Sequence, residues 1–165
     1  MTPSLLFLLG GRDLEMLEIG RLVRAAAGAA AVADKGLPWH ASRASAYRAE
    51  IAAARGQGRV PVLVELMPDR KPALLARCRV VDHHGERAGA DRPTALEQVF
   101  ALLELPRERW TRRLDLVAAN DRGWIPELRA KGASAAEILA IRAEDRAAQG
   151  VTEAEERAAE AALSE

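Results

Sequence analysis

The chain has 165 residues, enough for one domain with a proper core and too few for a second full one. Hydrophobic residues make up 49% and charged residues 29%, the balance of a soluble globular protein, and no apolar run is long enough to span a bilayer. With 24 basic and 24 acidic side chains the formal charge is zero, which excludes the global basic field needed to hold long duplex nucleic acid.

MTPSLLFLLGGRD opens with an apolar stretch that no basic residue precedes and no small-residue cleavage site follows. It reads as structure rather than as a signal peptide, and the cytoplasm is the expected location. Leu5 to Leu9, closed by Gly10 and Gly11, is a strand buried on both faces. From Asp13 the apolar positions Leu14, Leu17, Leu22 and Val23 fall at helical spacing, and Gly28 stands where a helix stops. A weaker strand is expected at Ala30 to Ala33, ending at Asp34. Ser42 or Ser45 can cap a helix through Ile51 that ends in Gly56-Gln57-Gly58. The third strand is Val60 to Leu66, with Pro61 tolerable near its start. Met67 to Ala76 is too short for a full crossover helix, which leaves open where the fourth strand, Arg77 to Val81, sits in the sheet. Cys78, the single cysteine, excludes an intramolecular disulfide and reads as an inert thiol inside that strand.

Beyond Val81 the character is helical. Thr94 with Glu97, Ser134 with Glu137 and Thr152 with Glu155 each form the capping-box pattern, marking three helix starts. Pro106 separates a helix around Leu96 to Leu103 from another around Trp110 to Val117. An Ala-rich acidic pair follows at roughly 134 to 148 and 152 to 163, with Gly150 between. The expected architecture is therefore α/β: a doubly wound, mostly parallel sheet of four to five strands with a helical C-terminal cap. Residues 1–130 form the α/β domain. Residues 131–165 form a helical extension whose stripe of Ile138, Leu139 and Ile141 packs on the body or on the second subunit of a homodimer.

In open α/β sheets the loops beyond the carboxyl ends of the strands converge into the binding crevice. Each of the four expected strands delivers an acid there: Asp13 and Glu15, Asp34, Glu65, and Asp82 followed by His83 and His84. Carboxylates gathered on one rim repel unless paired or bound to a cation. Oxygen ligands with an imidazole suit Mn2+ or Mg2+, and two such ions roughly 3.5–4 Å apart activate water for attack on phosphorus. One cysteine and no C-x-x-C spacing leave structural zinc unsupported, and no G-x-S-x-G is present for a serine hydrolase.

The triplet Asp82-His83-His84 after a hydrophobic strand, with Asp13-x-Glu15 after the first strand, resembles the N-terminal catalytic domain of the DHH phosphoesterase superfamily, over roughly residues 1 to 130. The resemblance implies hydrolysis of phosphoester or phosphoanhydride bonds with two Mn2+ or Mg2+ ions. It implies metal ligands at Asp13, Glu15, Glu65, Asp82, His83 and Asp121, with Asp82, His83 and His84 catalytic and His84 facing substrate. Three departures accompany it. Leu9 to Arg12 lack the family's usual His before the first acid pair, Glu15 and Glu65 stand where Asp is usual, and the Gly-rich second domain is missing.

Arg87 and Arg92, on the approach to the helix at Thr94, and Arg122, beside Asp121, are candidate phosphate contacts, because guanidinium groups near a helix N-terminus suit phosphate. His40 reads as a loop residue. Asp34 reads as a turn cap that could also meet substrate, and Trp124-Ile125-Pro126 as a packing anchor. The expected activity is that of a metal-dependent phosphoesterase of the phosphodiesterase or nuclease type, acting on a small phosphorylated or (oligo)nucleotide ligand. The alternative is a catalytically altered nucleotide-sensing or protein-interaction module of the same fold.

Overall fold

A computed structural model describes residues 4–67, 72–84, 87, 89, 91–152 and 154–155. Strands β1 (Leu5–Leu9), β2 (Val32–Ala33), β3 (Val60–Val64) and β4 (Arg79–Val81) form one sheet in the order β2-β1-β3-β4, and every pair is parallel. The helices are α1 (Leu14–Ala27), α2 (Arg48–Gly56), α3 (Pro72–Leu75), α4 (Ala95–Leu102), α5 (Arg112–Ala130) and α6 (Ala135–Gln149). This is the doubly wound α/β arrangement with a helical C-terminal region, and β4 lies at the edge beside β3.

The continuous apolar strands are explained by burial on both faces. Phe7, Leu9, Val62 and Val64 point into a core shared with Ile19, Val23, Leu96, Val99, Val117 and Leu128. Leu6, Leu8 and Leu63 point the other way, against Tyr47, Ile51, Ala54 and Leu66. Fully burying each such side chain contributes on the order of 1.5–3 kcal/mol.

Register aligns the carboxyl ends of the strands. Leu9 lies beside Val64, Val64 beside Val81, and Leu8 beside Ala33. The chain must leave the sheet abruptly there. A Cβ at Gly10 would overlap the carbonyl oxygens of Val64 and Glu65, so only glycine lets β1 and β3 end this close together. Tyr47 fastens the same corner, donating its hydroxyl to the Leu9 carbonyl oxygen at 2.7 Å and accepting the Lys35 backbone N–H at 3.0 Å.

Several expected details are corrected. Strand β2 is shorter than Ala30 to Ala33, because Ala29–Ala31 form a 3-10 turn. Strand β3 ends at Val64, where Glu65 turns into the left-handed region (φ 48°). Neither Ser42 nor Ser45 caps a helix: the Ser42 hydroxyl donates to the Pro38 carbonyl oxygen, a 3-10 turn spans Ala44–Tyr47, and α2 starts at Arg48. Cys78 precedes β4 instead of lying inside it. Helix α5 runs past Val117 to Ala130 but breaks at Gly123 and Trp124, since Pro126 cannot continue the hydrogen-bonded ladder.

The described part of the C-terminal extension packs on the body. Helix α6 lies against α1 and α5, with Ile141 buried and Ile138 partly buried, whereas Leu139 is 71% exposed and leaves the expected stripe. All three capping boxes form. The helix expected over 152 to 163 lies outside the described residues from 156 onward. Among the described residues no helix is long and apolar enough to cross a membrane.

Candidate metal and phosphate site

The rim above the strand ends collects seven of the expected side chains: Asp13, Glu15, Glu65, Asp82, His83, His84 and Asp121. Asp13 is the N-cap of α1, its Oδ1 accepting the Met16 backbone N–H at 2.7 Å. Glu15, one half-turn on, is buried and sends Oε1 to the Leu96 backbone N–H of α4 at 2.8 Å. Glu65 is buried in its left-handed corner. A non-glycine residue held there costs about 1–3 kcal/mol, and such strain concentrates at functional sites.

The two imidazoles divide the acids between them. His83 is buried, with Nδ1 3.3 Å from Asp121 Oδ2 and Nε2 3.5 Å from the Gly89 carbonyl oxygen. His84 is exposed, and its Nδ1 lies 3.4 Å from both Glu65 Oε1 and Asp82 Oδ1. Asp82 Oδ1 also accepts the His84 backbone N–H at 3.0 Å. Ligand atoms of Glu65, Asp82 and His84 lie within 4.8 Å of one another, so the imidazole expected to face substrate sits in a group able to hold an ion.

The other buried acids among the described residues, Glu18 and Asp145, are each paired with arginine. Glu18 meets Arg113 Nε at 2.7 Å and Asp145 meets Arg142 Nη1 at 3.1 Å. Among the described residues no arginine or lysine forms an ion pair with Asp13, Glu15, Glu65 or Asp121. Both Glu65 oxygens and Glu15 Oε2 are buried without a partner of hydrogen-bonding geometry. Desolvation by burial is the largest cause pushing these groups up, and mutual repulsion adds to it. Asp13 rises to about 7, Glu65 rises to about 9 with Asp121, Asp13 and Asp82 nearby, and Glu15 and Asp121 rise as well. An isolated buried carboxylate is costly, and a divalent cation among these oxygens would remove both the burial and the repulsion costs.

The donor set fits Mn2+ or Mg2+: carboxylate oxygens, imidazole nitrogens and no thiol, since Cys78 lies beside Arg55 and the Leu74 carbonyl oxygen. Glu65, Asp82 and His84 would hold one ion, and Asp13, Glu15, His83 and Asp121 line the adjoining space.

The arginines are distributed differently. Arg87 Nη1 is 3.7 Å from Asp82 Oδ2, at the mouth of the site. Arg92 is exposed in the turn before α4. Arg122 is mostly buried and its Nη2 is paired with Glu97, so it is engaged by the chain itself. The expected phosphate cradle at the start of α4 is likewise filled. Thr94 and Glu97 satisfy each other's backbone N–H groups, and the Leu96 N–H holds Glu15. Asp34 caps a turn by accepting the Gly36 N–H at 2.8 Å. Trp124, expected as a packing anchor, is 65% exposed because the break in α5 swings it outward.

Three residues escaped the sequence reading. Asp145 of α6 accepts the Leu14 backbone N–H at 3.2 Å, beside Asp13, across 131 positions of chain. Trp39 and Met67, both part-exposed, line a cleft of about 550 Å³ with His40, Glu65, Leu66, Asp82 and His84. Trp39 had a local signal in Leu37-Pro38-Trp39-His40, a turn carrying an aromatic at the strand-end edge; Asp145 had none. No protein-family model, no curated protein and no solved structure matches the chain.

Proposed function

We propose that the chain is a metal-dependent phosphoesterase that hydrolyses a small phosphorylated or nucleotide substrate at the carboxyl edge of its sheet, by a two-ion mechanism similar to that of the DHH phosphoesterases. The observation that carries this reading is the set of buried carboxylate oxygens on Glu15 and Glu65 that no arginine or lysine meets, gathered with Asp13, Asp121 and two imidazoles, whereas the other buried acids among the described residues, Glu18 and Asp145, pair with arginine.

When bound, Mn2+ or Mg2+ would lower the pKa of the attacking water and offset charge on the leaving oxygen. The chain's own groups would do the rest. His84, exposed at the cleft, donates to a phosphate oxygen. Arg87, beside Asp82, adds positive charge at the mouth. The Asp121 carboxylate, 3.3 Å from His83 Nδ1, orients the His83 ring beside the acids. Glu65, protonated when the site holds no cation, gives up its proton as an ion enters.

One observation favours a second reading. Asp13 Oδ1 and Glu15 Oε1 are both committed to helix N-termini, which is structural work. A protein keeping the acids for that purpose would bind a nucleotide without turning it over.

Release of nitrophenol from bis(p-nitrophenyl) phosphate separates the two. Hydrolysis that requires Mn2+ and stops with chelator is expected. Stabilisation by a nucleotide with no product formed would replace the enzyme with the binding module.

A further inference from the structure

The cleft beside the acid cluster is lined by unlike groups. Glu65, Asp82 and His84 are polar. The Trp39 indole, 38% exposed, and Met67, 40% exposed, are apolar. The Trp39 ring and the Met67 backbone are fixed by the fold. A Cβ at Gly11 would overlap the indole ring, so one face of Trp39 rests against the backbone just past β1. Its ring meets the His84 imidazole at 5.6 Å between centroids and 68° between planes, an edge-on contact that leaves indole surface facing the cleft. Met67 is tied to the same turn: its N–H donates to the Ser42 carbonyl oxygen at 2.9 Å, the Ser42 N–H donates to the Trp39 carbonyl oxygen at 3.1 Å, and the Ala44 N–H returns to the Met67 carbonyl oxygen. The cleft therefore exists before any ligand enters, and the buried Glu65 carboxylate, its Oε1 3.4 Å from His84 Nδ1, forms part of its polar wall.

We propose that Trp39, with Met67, is the seat of a nucleobase, so that the substrate of this site is a nucleotide ester rather than a phosphorylated sugar or polyol. This inference rests on the phosphoesterase reading. Because the indole packs edge-on against the His84 ring at 5.6 Å between centroids, a phosphate held by His84 would bring its base into the same cleft, and a planar base stacking on Trp39 covers apolar surface that a sugar phosphate would leave in water. Base stacking on an aromatic side chain is sequence-tolerant, so the site selects for a base without choosing among bases by hydrogen bonding.

Calorimetric titration with adenosine 5′-monophosphate and with ribose 5-phosphate, each with Mn2+, tests it. The full chain should bind the nucleotide roughly ten-fold or more tighter than the sugar phosphate, given what stacking on an aromatic contributes. Trp39→Ala should abolish that preference, and Trp39→Phe should retain most of it. Equal affinity of the unaltered protein for both compounds overturns the base seat and leaves the phosphate site standing. So does a preference that survives in Trp39→Ala. Failure of both compounds to bind overturns the phosphate site, and the base seat with it.

Discussion

Replacing His83 by Ala is expected to lower Mn2+-dependent phosphodiester hydrolysis by about 100-fold, at the upper end of what losing a ligand-orienting group costs. The reason is local. His83 is buried, its Nδ1 faces Asp121 at 3.3 Å, and that contact works against the burial that raises Asp121. Without the ring, Asp121 is one more unneutralised carboxyl in a crowded pocket, and it is expected to hold a proton where it should hold a cation. The loss should appear in kcat and in the Mn2+ concentration needed for half-maximal rate, with the circular dichroism spectrum unchanged. A His83→Ala protein that turns over substrate at the original rate removes the imidazole from the mechanism.

The second large effect is on stability and its dependence on pH. Asp13 and Glu65 titrate near 3.8 and 4.5 in an unfolded chain, whereas burial holds them at about 7 and about 9 in the folded one. Across that interval the folded state binds more protons than the unfolded state, so stability present in acid is lost progressively as pH rises toward about 9. The metal-free protein should therefore have a lower Tm at pH 8.5 than at pH 6. Mn2+ reverses the trend, because it takes the place of the protons and binds better as they leave. At a concentration 100 times its Kd the ion contributes about 2.7 kcal/mol, a rise of roughly 5–10 °C for a domain of this size. Glu65→Gln should flatten the metal-free profile between pH 7 and 9 and remove most of the Mn2+ response. Thermal melts across that pH series decide it: a metal-free Tm that climbs with pH, or one that Mn2+ leaves unmoved, contradicts the buried-acid account.

Much of this architecture is legible in the sequence where local chemistry and tertiary packing agree. Leu5–Leu9 and Val60–Val64 are apolar at every position because helices cover both sides of the sheet, and Asp13 announces α1 because an N-cap is read from one side chain. Thr94 with Glu97 and Ser134 with Glu137 are readable for the same reason. The rim acids were reachable because strand ends and site edges coincide in parallel sheets. What stayed hidden depends on distance along the chain. Nothing near Asp145 says that it meets Leu14, and nothing near Arg122 says that Glu97 will claim it. Ser42 satisfied the pattern of a cap yet bonds backward to Pro38, since a hydroxyl serves a turn as readily as a helix. Trp124 looked like core until Pro126 broke the helix beneath it.

The central claim is that carboxylates from the start of α1, from just beyond β3 and β4, and from α5 surround divalent cations together with the paired imidazoles. Anomalous diffraction at the manganese edge, from crystals grown with Mn2+, measures this directly. The account predicts density enclosed by Glu65, Asp82 and His84, with a second peak toward Asp13, Glu15, His83 and Asp121. Crystals that take up no manganese at these side chains, or carry it only elsewhere on the surface, would contradict it.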